Sequence, residues 1–269
     1  MPDETLRISY VGPVAELILN RPEKLNALSR AMEAALIKAL AEVSERADTK
    51  VVILRGEGRA FSTGHDLVEL FAEDRPDAAA WRDYFKVSIE AVMAVWNCPK
   101  PVIAAVHGHV LAGGWELASA ADVIIASDDA GFGYPEVRAG DLPLVFLLPW
   151  LVDIRRCKRI VFSGQTLSAS EALAAGLVDE VVGRDRIFER ARQEALSIST
   201  TPLPALQFLK KATNRTYDAM GLTAAIEAIV EESCRYMAAS NDALETFRLL
   251  LRERGLREAL KYRDRRTGS

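Results

Sequence analysis

Two glutamates and a pair of adjacent glycines stand close together in one stretch of this sequence. From His107 to Glu136 the chain reads HGHVLAGGWELASAADVIIASDDAGFGYPE. Gly113-Gly114 falls where a helix begins, and the first N–H groups of a helix have no partner within it. Glu116 follows one residue into that helix, and a short apolar strand then leads to a turn, Gly133-Tyr134-Pro135-Glu136. Amides left bare by glycine can polarise a carbonyl oxygen, and carboxylates can move protons beside it. The glutamates are too far apart in sequence to share a helical face, so each must be presented by its own turn. Glu116 could instead be a first-turn partner of the helix dipole, and Glu136 a surface residue beside Pro135. The apolar run Leu117–Ala121 argues for burial of Glu116, and a buried glutamate is rarely idle.

A second loop offers the same kind of donor. Phe61-Ser62-Thr63-Gly64-His65-Asp66 follows one apolar strand and precedes a short helix. Gly64 lets another group approach the backbone closely. Two readings compete: an oxyanion donor at the His65 N–H, or a plain loop with Asp66 as the N-cap of the next helix. Neither loop is a phosphate cradle, because no Lys-Ser or Lys-Thr follows Gly114 and no G-x-G-x-x-G occurs. Two bare strand-to-helix loops fit one shared carbonyl oxygen, where each donor is worth roughly a hundredfold to a thousandfold in rate.

Other chemistries fit less well. His107 and His109 alternate at a strand end and so face one way, but without a third ligand they suggest packing rather than a metal site. No G-x-S-x-G nucleophile elbow is present. Arg21, Lys24, Arg55 and Arg59 gather in the early loops, as a phosphate-facing group or as an ordinary solvated face.

The elements that must position these groups follow from periodicity. TLRISYV and VAELILN flank Gly12-Pro13 as a hairpin. Ser29 caps a helix through about Arg46 with Met32, Leu36, Ala39, Leu40 and Val43 on one face. Val51–Leu54 and Pro101–Val106 are buried strands, and Asp77–Asn97, entered after Pro76, is a long amphipathic helix. Leu144–Leu151 and Ile154–Phe162 read as helices. Ser168–Glu171 is a capping box opening a helix that stops at Gly176, and Leu177–Val182 is the last strand. From Arg184 the pattern is helical, with breaks near Thr201-Pro202, Gly221 and Asn241. Continuous apolar strands need cover on both faces, which predicts an α/β fold with parallel pairing. Residues 1–200 are expected to form the core domain and 201–269 a helical extension.

The 269 residues allow a sizeable core, and the 49% hydrophobic and 27% charged fractions are those of a soluble globular protein. A net charge of −4 argues against a nucleic-acid surface. Three widely spaced cysteines, Cys98, Cys157 and Cys234, form neither a disulfide framework nor a zinc motif, which suits a reducing, cytoplasmic setting. The start MPDETLRISYVG is unlike a signal peptide, and the longest apolar run, Leu142–Val152, is broken by prolines, so no membrane span is expected.

The ordered set of motifs resembles the enoyl-CoA hydratase/isomerase (crotonase) superfamily over nearly the whole chain. NRPEKLNAL at 20–28 is similar to that family's early signature and FSTGHDL at 61–67 to its first oxyanion loop. GHVLAGGWELASAADVIIAS at 108–127 and FGYPEV at 132–137 resemble its central block, and FSGQTLSASEALAAGLVDEVV at 162–182 its later signature. The resemblance implies a crotonase-like ββα spiral core, a helical C-terminal region that drives trimer formation and often a dimer of trimers. It implies an acyl-CoA thioester as substrate, as in fatty acid metabolism, with no cofactor beyond the coenzyme A of the substrate itself. It puts the oxyanion donors on His65 and Gly113 N–H and the catalytic carboxylates on Glu116 and Glu136. The Thr63 carbonyl and the stretch at Lys24 and Leu25 match positions that hold the coenzyme, and Gly64, Asp66, Leu67, Gly114 and Leu144 are the other expected substrate contacts. Having both glutamates favours water addition across an enoyl-CoA. Double-bond isomerisation, thioester hydrolysis and a non-catalytic binding subunit are the alternatives. His65 stands where a small residue is common, Trp115 where small or sulfur-bearing side chains are common, and Thr246 where glycine is usual. AGDLPLVF at 139–146 replaces a glycine-rich run, so the acyl pocket is expected to be reshaped.

Overall fold

The computed structural model describes residues 5–75, 77–239 and 241–265, so Pro76 and both chain ends lie outside the described residues. Strands β1 (Leu6–Val11) and β2 (Val14–Leu19) form the expected hairpin, with Leu6 opposite Leu19 and Val11 opposite Val14. The remaining strands are β3 (Val51–Gly56), β4 (Val102–Val106), β5 (His109–Leu111), β6 (Val123–Ser127), β7 (Gly131–Gly133), β8 (Leu167–Ser168) and β9 (Glu180–Val182). Six of the nine build one sheet in the order β1-β2-β3-β4-β6-β9, parallel after the first pair. The helices are α1 (Arg30–Glu45), α2 (Leu67–Leu70), α3 (Ala78–Asn97), α4 (Gly113–Ser119), α5 (Leu148–Leu151), α6 (Ile154–Ser163), α7 (Ala169–Ala174), α8 (Ile187–Ser199), α9 (Leu203–Ala219), α10 (Leu222–Ala239), α11 (Asp242–Arg254) and α12 (Leu256–Arg265).

The central strands bury alternate residues on opposite faces, as a period of two requires. Leu17, Leu54 and Ala104 join Met32, Leu36 and Leu40 of α1 and Val92 of α3 on one side. Ile53, Ile103 and Ile125 meet Ile187, Ala191 and Ala195 of α8 on the other. Each buried Leu or Ile side chain contributes roughly 1.5–3 kcal/mol. Apolar residues of α10 and α11, among them Leu222, Ile226 and Phe247, belong to the same cluster as the sheet. Among the described residues, no helix is long and apolar enough to cross a membrane.

The caps explain where helices start. Ser29 accepts a hydrogen bond from the Met32 N–H, Asp77 accepts one from Ala80, and Ser168 and Glu171 form the reciprocal capping box. Lys100 is fully buried and donates to the carbonyls of Val43 and Arg46, satisfying the end of α1.

Some expectations are corrected. Leu144–Leu151 is helical only over Leu148–Leu151. The Leu144 N–H is given to the Glu116 carboxylate instead of a helical carbonyl, and Gly140 at φ 79 turns the chain just before it. The last strand is shortened to Glu180–Val182 because Leu177 closes α7 through its N–H to the Ala172 carbonyl. Glu116 is the fourth residue of α4, three residues into the helix rather than one, because both glycines belong to it. Gly255, at φ 81, adds a break to those at Thr201-Pro202, Gly221 and Asn241. A small sheet, β5-β7-β8, was not anticipated.

The parallel neighbours β3, β4 and β6 all release their chains at the same sheet edge, the carboxyl end where open α/β sheets bind ligands. The small sheet then aligns the three emerging segments. β5 pairs in parallel with β7, and Ser62 bridges to Val110. The early loop is tied in by Asn26, which is fully buried in a left-handed conformation at φ 53. Its side chain accepts from Arg21 N–H and donates to the carbonyls of Glu57 and Ala60, while its own carbonyl accepts from the Ser62 hydroxyl. Asn26→Ala strands several of these buried groups. It is expected to lower stability by about 2–4 kcal/mol in urea unfolding; a midpoint within error of the parent would mean that Asn26 does not join these loops.

Candidate active site

Gly64 and Gly114 bring the two donor loops into contact. Gly64 has φ 87, and a Cβ there would stand 2.7 Å from the Ala112 Cβ and 3.0 Å from the Gly113 nitrogen. A Cβ on Gly114 would lie 2.7 Å from both the Cβ and the carbonyl oxygen of Ser62. Between them Ala112 takes φ 51, ψ −130, a region that L residues avoid, with its N–H held by the Gly133 carbonyl. The loop before α2 is held from its other side, where Leu28 N–H donates to Gly64 and Asp66 N–H donates to Leu28. Among the described residues, neither the His65 nor the Gly113 N–H donates to a protein group. Two free donors therefore stand on touching loops.

Glu116 and Glu136 line one pocket beside Gly113 and His65, with about 620 Å³ of empty space, part of it open to solvent. Glu116 is buried at 2% exposure, and its Oε1 accepts from the Leu144 N–H at 2.6 Å. Burial pushes its carboxyl up to about 7, against the pull of the Val145 and Leu144 amides. Glu136 starts a 3-10 turn, Pro135–Ala139, and its Oε2 is shielded without a partner among the described residues. Burial raises its carboxyl well above the usual range, and the charges of Asp141 and Glu116 add to the rise. Beneath them Trp115 is fully buried and stacks on Tyr134 at 4.7 Å, outside the pocket lining. The burial of Glu116 thus involves Leu144, which lines the pocket with it.

The expected substrate contacts divide into two groups. Thr63, Leu67 and Leu144 line the pocket with the two glutamates, His65 and Gly113. Gly64 and Gly114 stand behind the wall as the close-approach points already described. Asp66 caps α2 through Oδ1, while its Oδ2 binds Arg21 at 2.8 Å and Lys24 at 3.3 Å. Burial opposes its charge, but Arg21 and Lys24 outweigh that and hold the carboxyl below its usual range. Lys24 is exposed, and Leu25 follows it in a left-handed turn at φ 52. Arg55 is half-buried against Glu16 and Glu57 rather than solvated.

His107 and His109 do not face one way. His107 is buried with Nε2 3.2 Å from the Gly58 carbonyl and its ring edge-on to Phe188, whereas His109 is exposed. The chain turns at Gly108, φ 55, between β4 and β5, which breaks the alternation. No cluster of ligands suited to a metal occurs among the described residues, and all three cysteines are buried and unpaired.

Further pocket residues escaped the sequence reading. Asp141 lines the pocket, and burial pushes its carboxyl up to about 6. Ser233 and Met237 come from α10 and Arg263 from α12. Glu33 lies behind His65, buried, with Oε1 3.5 Å from His65 Nε2 and Oε2 accepting from the Ser88 hydroxyl at 2.9 Å. Only Glu33 left a signal in the sequence: it shares the apolar face of Leu36 and Leu40, where a charge is out of place. The others are delivered by helix packing.

The likeness to known proteins runs the length of the chain. It is 35% identical to a probable enoyl-CoA hydratase of Rhizobium meliloti over 221 residues, 81% of this chain and 84% of the relative. It is 33% identical to a carnitinyl-CoA dehydratase of Salmonella typhi over 87% of this chain and 86% of the relative. An enoyl-CoA hydratase/isomerase structure from Xanthobacter autotrophicus Py2 superposes with a TM-score of 0.96 at 35% identity, covering 99% of both chains. The enoyl-CoA hydratase/isomerase family model matches residues 11–246. On its motifs, its fold and these matches, the chain belongs to the enoyl-CoA hydratase/isomerase family, with a crotonase fold.

Proposed function

We propose that this protein adds water across the double bond of an α,β-unsaturated acyl-CoA, or runs the reverse dehydration. The observation that carries this reading is the pairing of two shielded carboxylates of raised pKa with two unpartnered amides around one pocket. The thioester oxygen accepts from His65 and Gly113 N–H, which stabilise the enolate as it forms. Glu116, ionised, removes a proton from water as its oxygen bonds to Cβ. Glu136, protonated, delivers a proton to Cα. Proton exchange between the coupled pair restores the starting state. The assignment follows from their partners: the Leu144 N–H favours the ionised form of Glu116, whereas Glu136 Oε2 is shielded with no partner among the described residues to hold a charge. Neither a metal nor a redox cofactor enters these steps.

The coenzyme part of the substrate is assigned to the rim at Lys24, Leu25 and the Thr63 carbonyl. By the same family likeness the protein works in the cytoplasm as a homotrimer or a dimer of trimers. Phe208, Leu209 and Met220, large apolar residues exposed after residue 200, support such an assembly. Light scattering is expected at three or six times the 29.6 kDa chain mass, and a monomer would overturn it.

A panel of enoyl-CoA thioesters, followed by loss of the conjugated-thioester absorbance, tests the reaction. Glu116→Gln and Glu136→Gln are each expected to lower kcat about 10²–10⁴-fold. Wild-type rates in both variants would end the two-carboxylate mechanism, and a shifted double bond without hydration would make the protein an isomerase.

The pH dependence carries a sign. The base, Glu116, must lose its proton, so the rate is expected to rise through about pH 7. The acid, Glu136, must keep its proton, so the rate falls at higher pH as that group ionises. A rate that only declines from pH 5 upward would mean that no base titrating near pH 7 takes part, and would remove Glu116 from that role.

A further inference from the structure

We propose that the His65 imidazole is the stop that sets how long an acyl chain the pocket admits. The inference rests on the acyl-CoA reading above and concerns the side chain of His65, not its backbone donor. Among the described residues, His65 alone borders both the catalytic pocket and a second cavity behind it. That cavity is narrow; it lies between α1 and α3 and is lined by Met32, Leu36, Ala91, Val92 and Leu117, with Glu33 and Ser88 as its polar members beside His65. Its apolar side chains would favour an alkyl chain end if the passage past His65 were opened.

The ring stands at the junction. A Cβ built on Gly113 would lie 3.2 Å from His65 Cε1 and 3.3 Å from Nε2, so the imidazole is pressed against the wall that carries the second amide donor. On this proposal, the acyl carbons of a thioester held by both amides run past this ring, which lines the pocket with Gly113. Nε2 lies 3.5 Å from Glu33 Oε1, Glu33 Oε2 is held by Ser88, and the Phe85 ring stands 6.1 Å away. Glu33 lines the rear cavity and not the catalytic pocket, so proton transfer to substrate leaves it without a task. Tethering His65 supplies one, with Glu33 as a positioning residue. Burial depresses the imidazole to about 4, so the stop is neutral at pH 7 and compatible with an apolar chain end.

The test is a chain-length series of saturated acyl-CoA thioesters, acetyl to octanoyl, titrated calorimetrically into the full-length protein. For the wild type, affinity is expected to climb by about fourfold per methylene until the chain meets His65, and then to fall. A steady climb through octanoyl would overturn the stop. In His65→Ala the octanoyl-to-butanoyl affinity ratio is expected to rise at least tenfold, whereas His65→Phe, which keeps a ring in the gap, retains the wild-type order. An unchanged ratio in His65→Ala, or a Phe variant that behaves like the Ala variant, would also refute it. If the wild type binds none of the thioesters, the acyl-CoA reading itself fails; tight butanoyl binding with an unchanged ratio removes the stop alone.

Discussion

Position 114 has no room for a side chain, and much of the site depends on that fact. The start of α4 sits directly on Ser62, with the Ser62 Cβ and carbonyl oxygen both 2.7 Å from where a Cβ would be. Gly64 answers from the opposite loop, at a backbone angle that favours glycine and within 3.0 Å of the Gly113 nitrogen. Ala112 accepts a strained conformation between them, a cost of order 1–3 kcal/mol met by the surrounding contacts. These close approaches put the His65 and Gly113 donors beside each other before any ligand arrives. Such preorganised dipoles stabilise developing charge without rearranging at the moment of reaction.

The same packing sets the charge of the pocket. Glu116 loses contact with water because the segment after Gly140 folds over it, and that segment's Leu144 amide becomes its partner. Glu136 and Asp141 are shielded nearby, and burial raises all three carboxyls. Carboxylates crowded together and shielded from water resist being ionised all at once. The pair can therefore differ in protonation although both members are glutamate. The departure at AGDLPLVF is thus part of the chemistry as well as of the pocket's shape.

How much was legible from residues alone follows from range. The α1 face, the capping box at Ser168 and the strands at 51 and 102 are local patterns, repeated every two or three to four residues, and they stand where the periodicity put them. The two donor loops and both glutamates lie inside short motifs, so they too were visible. The strands β5, β7 and β8 were not, since two or three residues cannot show a period. Leu144 left the predicted helix because a tertiary partner claimed its N–H. His107 and His109 parted because Gly108 turns the chain between them. Arg263 and Met237 reach the pocket only through the packing of α10 and α12, for which no local signal exists.

That difference in range separates reaction from substrate. The two unpartnered amides and both glutamates lie on segments that leave the sheet at the carboxyl ends of β3, β4 and β6, whose mutual placement the parallel sheet fixes. Other lining residues of the pocket and of the cavity behind it come from α1, α3, α10 and α12, each resting on the sheet or its loops through apolar contacts. A substitution on a helix face can therefore reshape the chain's path and leave the donors where they are. A shift at Gly64 or Gly114 cannot be confined in that way, because it moves the amides themselves. On the reading proposed here, the acyl group is decided around His65 and Glu33 rather than at Glu116 and Glu136.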